Sequence, residues 1–506
     1  MPDSKSFYYE AARLLCFVCS KRATLKSAFY SQDGEKDKAV FALVAKCLAL
    51  RTIVASGLIK VGAIESEALE SCKHIVDMKS EACNVCLLTV VSFDICCCRK
   101  SFGQRSVALR LIGKYSQVGN VASALRKTLK TLIKVDGFHS SSQVRVPVYL
   151  RVIEPMHTVL DCLESSKDPV LTHVSYDRDV TSYKKYIKLV QNLEKGQFTT
   201  DFHFPHLLLL FAPGTDLHMS PILTLHKAVI QDKASCIPVL VLLNVLKFNK
   251  SQSVEILDAC AAPGNKTTLL LSGLKKTNQT GRVVAIDRDP KRFKQLCNNL
   301  RRIHDGPVKV NGKVDGGRTQ QKSSGELICE ANCRDFLSID PVGEEEYCNI
   351  KAILVDPTCS GSGLCFKSPE LLAEKEEGEE KTERIRRLAN LQAKILRHAL
   401  SFPNVDVVVY STCSIYKEEN EAVVREQAEA FAGDFHLTTI WKETAIDSGQ
   451  ENPFAPIAPW KSRGFADTDD QKMSRCLRSS PEKDLTIGFF VSCFKRRKHT
   501  KKTTLV

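Results

Sequence analysis

The first quarter of the chain carries apolar residues at intervals of three and four positions, which is the period of an amphipathic helix. Four stretches show this spacing: Tyr8 to Cys19, Lys38 to Leu58, Ile64 to Met78 and Val121 to Lys134. None of them holds a set of residues suited to catalysis. The pattern predicts an N-terminal helical domain over residues 1–135.

From residue 136 the pattern changes to short apolar runs of strand character, separated by turn residues. The first run is Gln143 to Val152, and a later run, Phe204 to Leu210, is followed by the turn pair Pro213-Gly214. These runs predict a small, RNA-binding-like α+β module over residues 136–235. An apolar helix, Ile237 to Leu246, is expected to follow it.

Beyond residue 235, strand patterns alternate with helical ones, which is the order of an α/β protein with a mostly parallel sheet. The predicted strands are Val254 to Asp258, Arg282 to Ile286, Glu326 to Glu330, Ala352 to Val355, Val405 to Tyr410 and Thr486 to Phe494. We predict a Rossmann-like α/β catalytic domain over residues 236–495.

Three polar or charged segments complete this division of the chain. The Gly-rich segment Asn311 to Gly325 is predicted to be a disordered insertion. The charged segment Glu374 to Arg387 precedes an amphipathic helix, Leu388 to Leu400. A basic tail is predicted over residues 496–506, serving as a nuclear address, as a phosphate contact or only as a solvated end.

The composition of the 506-residue chain, with 43% hydrophobic and 26% charged residues, is that of a soluble globular protein of about two to four domains. No apolar run approaches the roughly 18 residues of a membrane span. The N-terminus shows no secretory signal, so we expect an intracellular protein without a membrane partner.

The formal net charge of +14 predicts attraction to polyanions, because basic side chains that neutralise phosphates release counterions. Nucleic acid is therefore the expected partner. A basic surface that only keeps the protein solvated is the alternative. The basic residues on the N-terminal helices fit either interpretation.

The 21 cysteines are spread over a long chain without an export signal, so reduced thiols are expected. Two Cys-x-x-Cys pairs occur, Cys16/Cys19 and Cys83/Cys86. Both lie in apolar, helix-like runs without Gly or Pro turns, which favours ordinary core thiols over a zinc site. No metal site is predicted.

A turn of small residues follows the strand that ends at Asp258. Its sequence, Cys260, Ala261, Ala262, Pro263, Gly264, Asn265 and Lys266, lets a ligand approach the backbone and opens a helix whose N-terminus attracts anionic groups. It is neither a Walker loop nor a dinucleotide fingerprint. Asp287 ends the next strand about twenty residues later, where Rossmann-like folds place a ribose-binding acid, and Asp335 ends a third. The loop and these acids predict a different adenosine cofactor.

Two thiols also lie just after predicted strands, Cys359 in Asp356-Pro-Thr-Cys-Ser-Gly-Ser-Gly and Cys413 in Ser411-Thr-Cys-Ser. Because the carboxyl ends of strands in an open α/β sheet are where ligands bind, both thiols can face one pocket. A single cysteine near a strand end is usually a small buried hydrophobe. The shared Thr-Cys-Ser setting and the neighbouring Asp356 favour a chemical role.

Taken in order, these three motifs resemble those of the NOL/NOP/Sun family of RNA cytosine-5 methyltransferases. The resemblance covers about residues 136 to 495, and the helical N-terminus with the Ala-Ala-Pro-Gly-Asn-Lys loop is most similar to the branch that modifies large-subunit ribosomal RNA. It implies a class I S-adenosylmethionine-dependent methyltransferase fold, RNA as partner, and a nuclear, nucleolar location.

The resemblance also implies roles for individual residues. The loop Cys260 to Lys266 would surround S-adenosylmethionine, with Asp287 on the ribose, Arg292 nearby and Asp335 at the adenine. Asp356, also at the cofactor site, would contact the target cytosine. Cys413 would attack carbon 6 of the ring as a thiolate, and Cys359 would assist release of the enzyme.

Two departures from the family pattern concern RNA contact, Val148 where an Arg often stands and Lys227 where a Gly often stands. A DNA cytosine methyltransferase would carry its nucleophile in a Pro-Cys pair, whereas Thr358 separates Pro357 from Cys359. A non-catalytic RNA-binding assembly factor and a methyltransferase for transfer RNA or another RNA are the remaining alternatives. Intact Cys359 and Cys413 argue against the assembly factor.

Overall fold

The computed structural model describes residues 4–20, 25, 29, 37–65, 84–98, 103–115, 121–135, 146–165, 170–217, 220–246, 253–314, 327–364, 379–441, 453–466 and 471–497. The chain divides into two compact units. One comprises residues 1–143 with 365–381, and the other comprises residues 144–364 with 382–506.

The first unit contains a bundle of helices around one apolar core. Its described helices are α1 (Ser4–Cys19), α2 (Lys38–Lys60), α3 (Asn84–Cys97), α4 (Arg105–Tyr115) and α5 (Val121–Val135). Leu15, Val44 and Val90 are among the side chains buried between them. The helices predicted at 8–19, 38–58 and 121–134 are confirmed, and α4 has no predicted counterpart. Of the predicted helix Ile64 to Met78, residues 66–78 lie outside the described residues.

No single described helix is long and apolar enough to cross a membrane, although the two parts of the bent helix α2 reach that length and composition together. The described residues also contain no group of three or more His, Cys, Asp or Glu side chains that could hold a metal ion. Cys83 lies outside the described residues.

The second unit begins with a five-stranded sheet in the order β2-β3-β4-β1-β5. Its strands are β1 (Val148–Val152), β2 (Thr172–His173), β3 (Gln197–Thr200), β4 (Leu208–Phe211) and β5 (Ala228–Ile230), and its helices are α6 (Met156–Glu164), α7 (Tyr183–Gln191) and α8 (Pro221–Thr224). Successive side chains of a strand point to opposite faces. Accordingly Leu209 and Phe211 join the core of this module, while Leu208 and Leu210 join the core of the catalytic sheet.

The helix α9 (Lys233–Val245) crosses the predicted boundary between residues 235 and 236. Asp232 caps it by accepting a hydrogen bond from the Ala234 amide at 3.0 Å. Lys233 is fully buried and pairs with Asp201 at 3.0 Å. A capped and buried helix therefore connects the small module to the catalytic domain through shared packing.

The second sheet has ten strands in the order β13-β15-β12-β11-β6-β7-β10-β8-β9, with β14 beside β15. Its strands are β6 (Val254–Asp258), β7 (Gly281–Asp287), β8 (Val308–Val310), β9 (Lys313–Val314), β10 (Leu327–Cys333), β11 (Ala352–Val355), β12 (Val407–Thr412), β13 (Phe435–Leu437), β14 (Leu477–Ser479) and β15 (Phe489–Arg496). Neighbouring strands from β12 to β8 are parallel, and β15 runs antiparallel to β12. This is the predicted Rossmann-like fold.

Helices cover both faces of this sheet. They are α10 (Asn265–Lys276), α11 (Pro290–Ile303), α12 (Glu379–Leu400), α13 (Glu421–Ala430) and the short α14 (Pro481–Asp484), with single 3-10 turns at Phe336–Ser338, Glu345–Tyr347, Ser362–Leu364 and Gln471–Arg475. From β6 the chain moves outward to β7 on one side and later to β11 and β12 on the other. The strand order therefore reverses between β6 and β11, which is where such folds bind ligands.

Two sequence predictions need correction in this domain. The segment predicted as disordered from Asn311 is ordered at its start, because Lys313–Val314 pairs with Val308–Val310 as a hairpin, and residues 315–325 lie outside the described residues. The basic tail is partly structural, since Arg496 ends β15 and donates hydrogen bonds to the carbonyls of Val405 and Phe402. Residues 498–506 lie outside the described residues.

Candidate active site

The loop of small residues after β6 is shaped by Gly264. This glycine has a φ of 106°, and it immediately precedes α10. A Cβ here would lie 3.0 Å from a Leu296 methyl group on α11, so both conformation and space favour glycine. The loop is tied back to its strand, because the Thr267 hydroxyl donates to Asp258 Oδ2 at 2.8 Å. Burial raises the pKa of Asp258 to about 7.

Asp287 and Arg292 hold the other side of this loop. The buried Asp287 carboxylate accepts from the Ala262 amide at 3.2 Å and from the Asp289 amide at 3.0 Å. Arg292 donates to the Ala262 carbonyl at 2.6 Å. The end of β7 and the start of α11 therefore both hold the backbone of one loop residue, Ala262.

A cleft with a mixed lining opens beside this loop. It combines charged and apolar side chains, the described lining being Ala259, Cys260, Asp287, Arg288, Arg292, Asp335, Phe336, Leu337, Thr358, Leu391 and Ile395. Asp335 is half-exposed at the rim and accepts from the Leu337 amide at 3.0 Å. Carboxylates suit the hydroxyl and amino donors of an adenosine, and the apolar wall suits its ring. The residues present therefore fit the adenosine part of S-adenosylmethionine.

Lys266 contacts Asp356 and is not part of the described cleft lining. Its ammonium nitrogen lies 2.7 Å from Asp356 Oδ2 and 3.1 Å from the Ser235 hydroxyl at the start of α9. Ser411, on β12, donates to Asp356 Oδ1 at 2.6 Å. Burial favours the neutral amine, but Asp356 outweighs it and raises the pKa of Lys266. The pair is therefore charged, and both Asp356 oxygens are oriented.

The two thiols meet beside this pair. Cys359 Sγ lies 3.2 Å from Cys413 Sγ, and both side chains are half-buried. The hydrogen bond to Cys413 and then burial raise the pKa of Cys359 well above its usual range. Either sulfur can be the donor in this contact, and the raised pKa of Cys359 favours its thiol form.

Two glycines allow the thiol loops to approach the adjacent strand. The Gly363 amide donates to the Cys413 carbonyl at 2.8 Å, and the Gly488 amide donates to the Gly363 carbonyl at 3.1 Å. A Cβ on Gly363 would lie 1.9 Å from the Gly488 carbonyl oxygen. Only glycine fits at Gly363, which fixes the loop that carries Cys359 against the loop that carries Cys413.

The structure thus separates the predicted site residues into two neighbouring groups. Cys260, Asp287, Arg292 and Asp335 line the cleft, and Ala262 contributes backbone atoms next to it. Lys266 and Asp356, predicted around the cofactor, are absent from the described lining; they pair with each other, and Asp356 also accepts from Ser411. Ala261 is buried, Pro263 offers its carbonyl to Asn299, and Asn265 begins α10.

The sequence patterns did not single out several residues that hold the site together. These are Ser235, Ser411, Gln392 and Glu419. Glu419 follows the Thr-Cys-Ser stretch of Cys413 closely in sequence, and Gln392 lies in the predicted helix Leu388 to Leu400. Both belong to polar stretches that are typical of exposed segments. The sequence does not show that the side chains of Glu419 and Gln392 are completely buried.

Comparisons with known proteins agree with this geometry. Residues 244–495 match the model of a family described as 16S rRNA methyltransferase RsmB/F. A mouse 28S rRNA (cytosine-C(5))-methyltransferase is 29% identical over 97% of this chain and 90% of its own length. A human putative methyltransferase, NSUN5C, is 30% identical over 57% of this chain and 75% of its own length.

A solved structure titled PH0851 matches the fold of the whole chain. It has a TM-score of 0.55 and 17% identity, and the match covers 98% of this chain and 99% of that one. The fold, the cleft and the sequence relatives point to the same assignment. The chain belongs to the NOL/NOP/Sun family of S-adenosylmethionine-dependent RNA cytosine-5 methyltransferases, in agreement with its three motifs.

Proposed function

We propose that this enzyme forms 5-methylcytosine in large-subunit ribosomal RNA, with Cys413 as the nucleophile and Cys359 as the residue that assists release. The observation that carries this proposal is the 3.2 Å contact between the two thiols beside the charged pair of Lys266 and Asp356. A single reactive cysteine would need no second thiol at this distance.

Carbon 5 of cytosine is a poor nucleophile, so the ring must first be activated. The Cys413 sulfur forms a bond to carbon 6 with its own electron pair, and the electrons of the 5,6 double bond make carbon 5 nucleophilic. S-adenosylmethionine supplies the methyl group that carbon 5 takes. A water molecule then takes the carbon 5 proton, and the electrons of that C–H bond restore the 5,6 double bond and expel the Cys413 sulfur as a thiolate.

The charges around the two thiols support different roles for them, Cys413 as the nucleophile and Cys359 in release. Burial lowers the pKa of Lys266, and the charges of Asp356 and Cys413 raise it. Cys359 keeps its proton and can donate a hydrogen bond to the departing sulfur of Cys413.

Asp356 is well placed to bind the target base. Its oxygens are fixed by Ser411 and Lys266, so the carboxylate needs little reorganisation when a donor arrives. The amino group of cytosine is such a donor. Because an enzyme cannot reach a stacked ring, the base must leave its stack to make this contact.

We predict that Asp287→Ala weakens S-adenosylmethionine binding by about 10- to 100-fold, the range expected for a charged hydrogen bond. The carboxylate lines the cleft and also holds the loop at Ala262. Isothermal titration calorimetry measures the change. Asp340→Ala is the matched control, since Asp340 is an exposed acid that lies outside the described cleft lining. Binding within about twofold of wild type would remove Asp287 from the cofactor site.

Large-subunit ribosomal RNA is proposed as the substrate because the mouse relative with a nearly full-length match is named a 28S rRNA methyltransferase. This substrate also implies nuclear, nucleolar action. Sequencing of 5-methylcytosine in RNA from cells with and without the protein tests the proposal. We expect one or more large-subunit cytosines to lose their methyl group. If 5-methylcytosine were lost only from transfer RNA, the result would contradict large-subunit ribosomal RNA as the substrate.

A further inference from the structure

A buried carboxylate, Glu419, lies between the two thiol-bearing loops. Its side chain has no exposed surface, and it precedes α13 in a loop that follows β12. Glutamate is rarely buried unless its charge is satisfied by partners. The partners of Glu419 all belong to the segments that carry or support the cysteines.

On one side Glu419 contacts the loop that carries Cys359. The Ser360 amide donates to Glu419 Oε1 at 2.9 Å. Gln392 of α12 donates to the same oxygen at 3.0 Å and to the Thr358 carbonyl at 3.0 Å. Both neighbours of Cys359 in the chain are therefore held, directly or through Gln392, by one carboxylate.

On the other side Glu419 contacts the loop that carries Cys413. The Ser414 hydroxyl donates to Glu419 Oε2 at 2.5 Å. The Glu419 backbone carbonyl accepts from the Tyr410 hydroxyl at 2.6 Å, which ties it to β12. Asn420 adds a bond from its amide group to the Ser414 carbonyl at 2.9 Å. One acidic residue thus joins the two loops whose sulfur atoms are 3.2 Å apart.

We propose that Glu419 is a positioning residue for cytosine methylation, which sets the separation of the Cys359 and Cys413 sulfurs and places a negative charge next to the loop that carries Cys359. The inference rests on the proposed roles of the two thiols. Cytosine enters between fixed groups, and small displacements of reacting atoms are costly in rate. The negative charge of Glu419 also opposes a second anion at Cys359.

The titratable groups that face Cys359 support the electrostatic part. They are Cys413 from the end of β12, Glu419 from the loop before α13, and Tyr410 from β12. After the hydrogen bond to Cys413, burial and the Cys413 charge, Glu419 also raises the pKa of Cys359. In a Cys413→Ala background the thiol partner is gone, so Glu419 becomes the main anionic neighbour.

Steady-state kinetics of Glu419→Ala and Glu419→Gln test the positioning role. Alanine removes the acceptor of three hydrogen bonds that join the two loops, so we expect kcat to fall on the order of 100-fold with the KM for S-adenosylmethionine unchanged. Glutamine keeps an oxygen for Ser360 and Gln392, so it should restore much of the rate. Asp484→Asn is the control, because Asp484 is a buried carboxylate that binds Ser462 and Ser480 and touches neither thiol loop.

The effect of the Glu419 charge is tested by measuring alkylation of Cys359, detected in the peptide that contains it, at different pH values. This measurement does not depend on turnover. In the Cys413→Ala background, adding Glu419→Gln should shift the onset of Cys359 alkylation to lower pH by about one unit. Asp484→Asn in the same background should leave the onset unchanged. An unshifted onset, or a Glu419→Ala enzyme with wild-type kcat, would overturn the inference. If the wild-type enzyme does not methylate RNA, the proposed function is contradicted, whatever the alkylation result.

Discussion

Replacing Cys413 with alanine is expected to abolish methylation, with a loss of at least about 10⁴-fold in kcat. Cys359 is the neighbouring described thiol, and the charge of Glu419, which raises the pKa of Cys359, opposes its use as a thiolate nucleophile in this variant. S-adenosylmethionine binding should persist, because the described cleft lining does not include Cys413. Transfer of a radioactive methyl group to ribosomal RNA, together with calorimetry of the cofactor, measures both properties.

Cys493→Ala is the matched control for this prediction. Cys493 lies on β15, directly opposite Val409 of the strand that carries Cys413, and it is buried. Burial raises the pKa of Cys493 to about 12, so it is an unreactive core thiol. This variant should keep its methylation activity, because the substitution removes only packing contacts of the Cys493 side chain in the core. Substantial activity in Cys413→Ala would show that another group attacks the ring.

Asp356→Ala is expected to reduce kcat by about 10²- to 10³-fold, which is typical of removing one preorganised polar contact from an active site. The change removes the proposed acceptor for the cytosine amino group. It also removes the carboxylate that raises the pKa of Lys266. Burial, which lowers that pKa, then has the larger effect, so the pKa of Lys266 falls. The variant therefore loses both a contact to the base and the charged pair beside the thiols.

The comparison variant is Asp356→Asn, which keeps an oxygen for the Ser411 hydroxyl but removes the charge. If charge is the main contribution, the asparagine variant should be nearly as slow as the alanine variant. If the hydrogen bond to the base is the main contribution, it should be clearly faster. Single-turnover methylation rates at saturating cofactor distinguish these cases, and a wild-type rate in both variants would exclude Asp356 from the reaction.

Much of this site could be predicted from the sequence because its parts follow short buried strands. The apolar runs before Asp287, Asp356 and Cys413 are local patterns, and the topology of a parallel sheet brings their ends to one edge. The predicted strand at 486–494 begins at Phe489, three residues late, because Gly488 is used for the close approach to Gly363.

The remaining parts depend on contacts between distant residues, which no local pattern encodes. Ser235 reaches Lys266 only because α9 is anchored by Asp232 and the buried Lys233. Glu419 looks like part of an exposed acidic stretch until the fold buries it between two loops. The contact of Lys266 with Asp356 likewise joins residues 90 positions apart in the chain.

The separate roles of the two thiols are tested most directly by denaturing gel electrophoresis of Cys359→Ala and Cys413→Ala after incubation with labelled ribosomal RNA and S-adenosylmethionine. Cys359→Ala should accumulate a protein–RNA band that survives denaturation, because the adduct forms but the departing sulfur lacks its hydrogen-bond donor. Cys413→Ala should give no band. A band from Cys413→Ala, with none from Cys359→Ala, would contradict the assignment of Cys413 as the nucleophile.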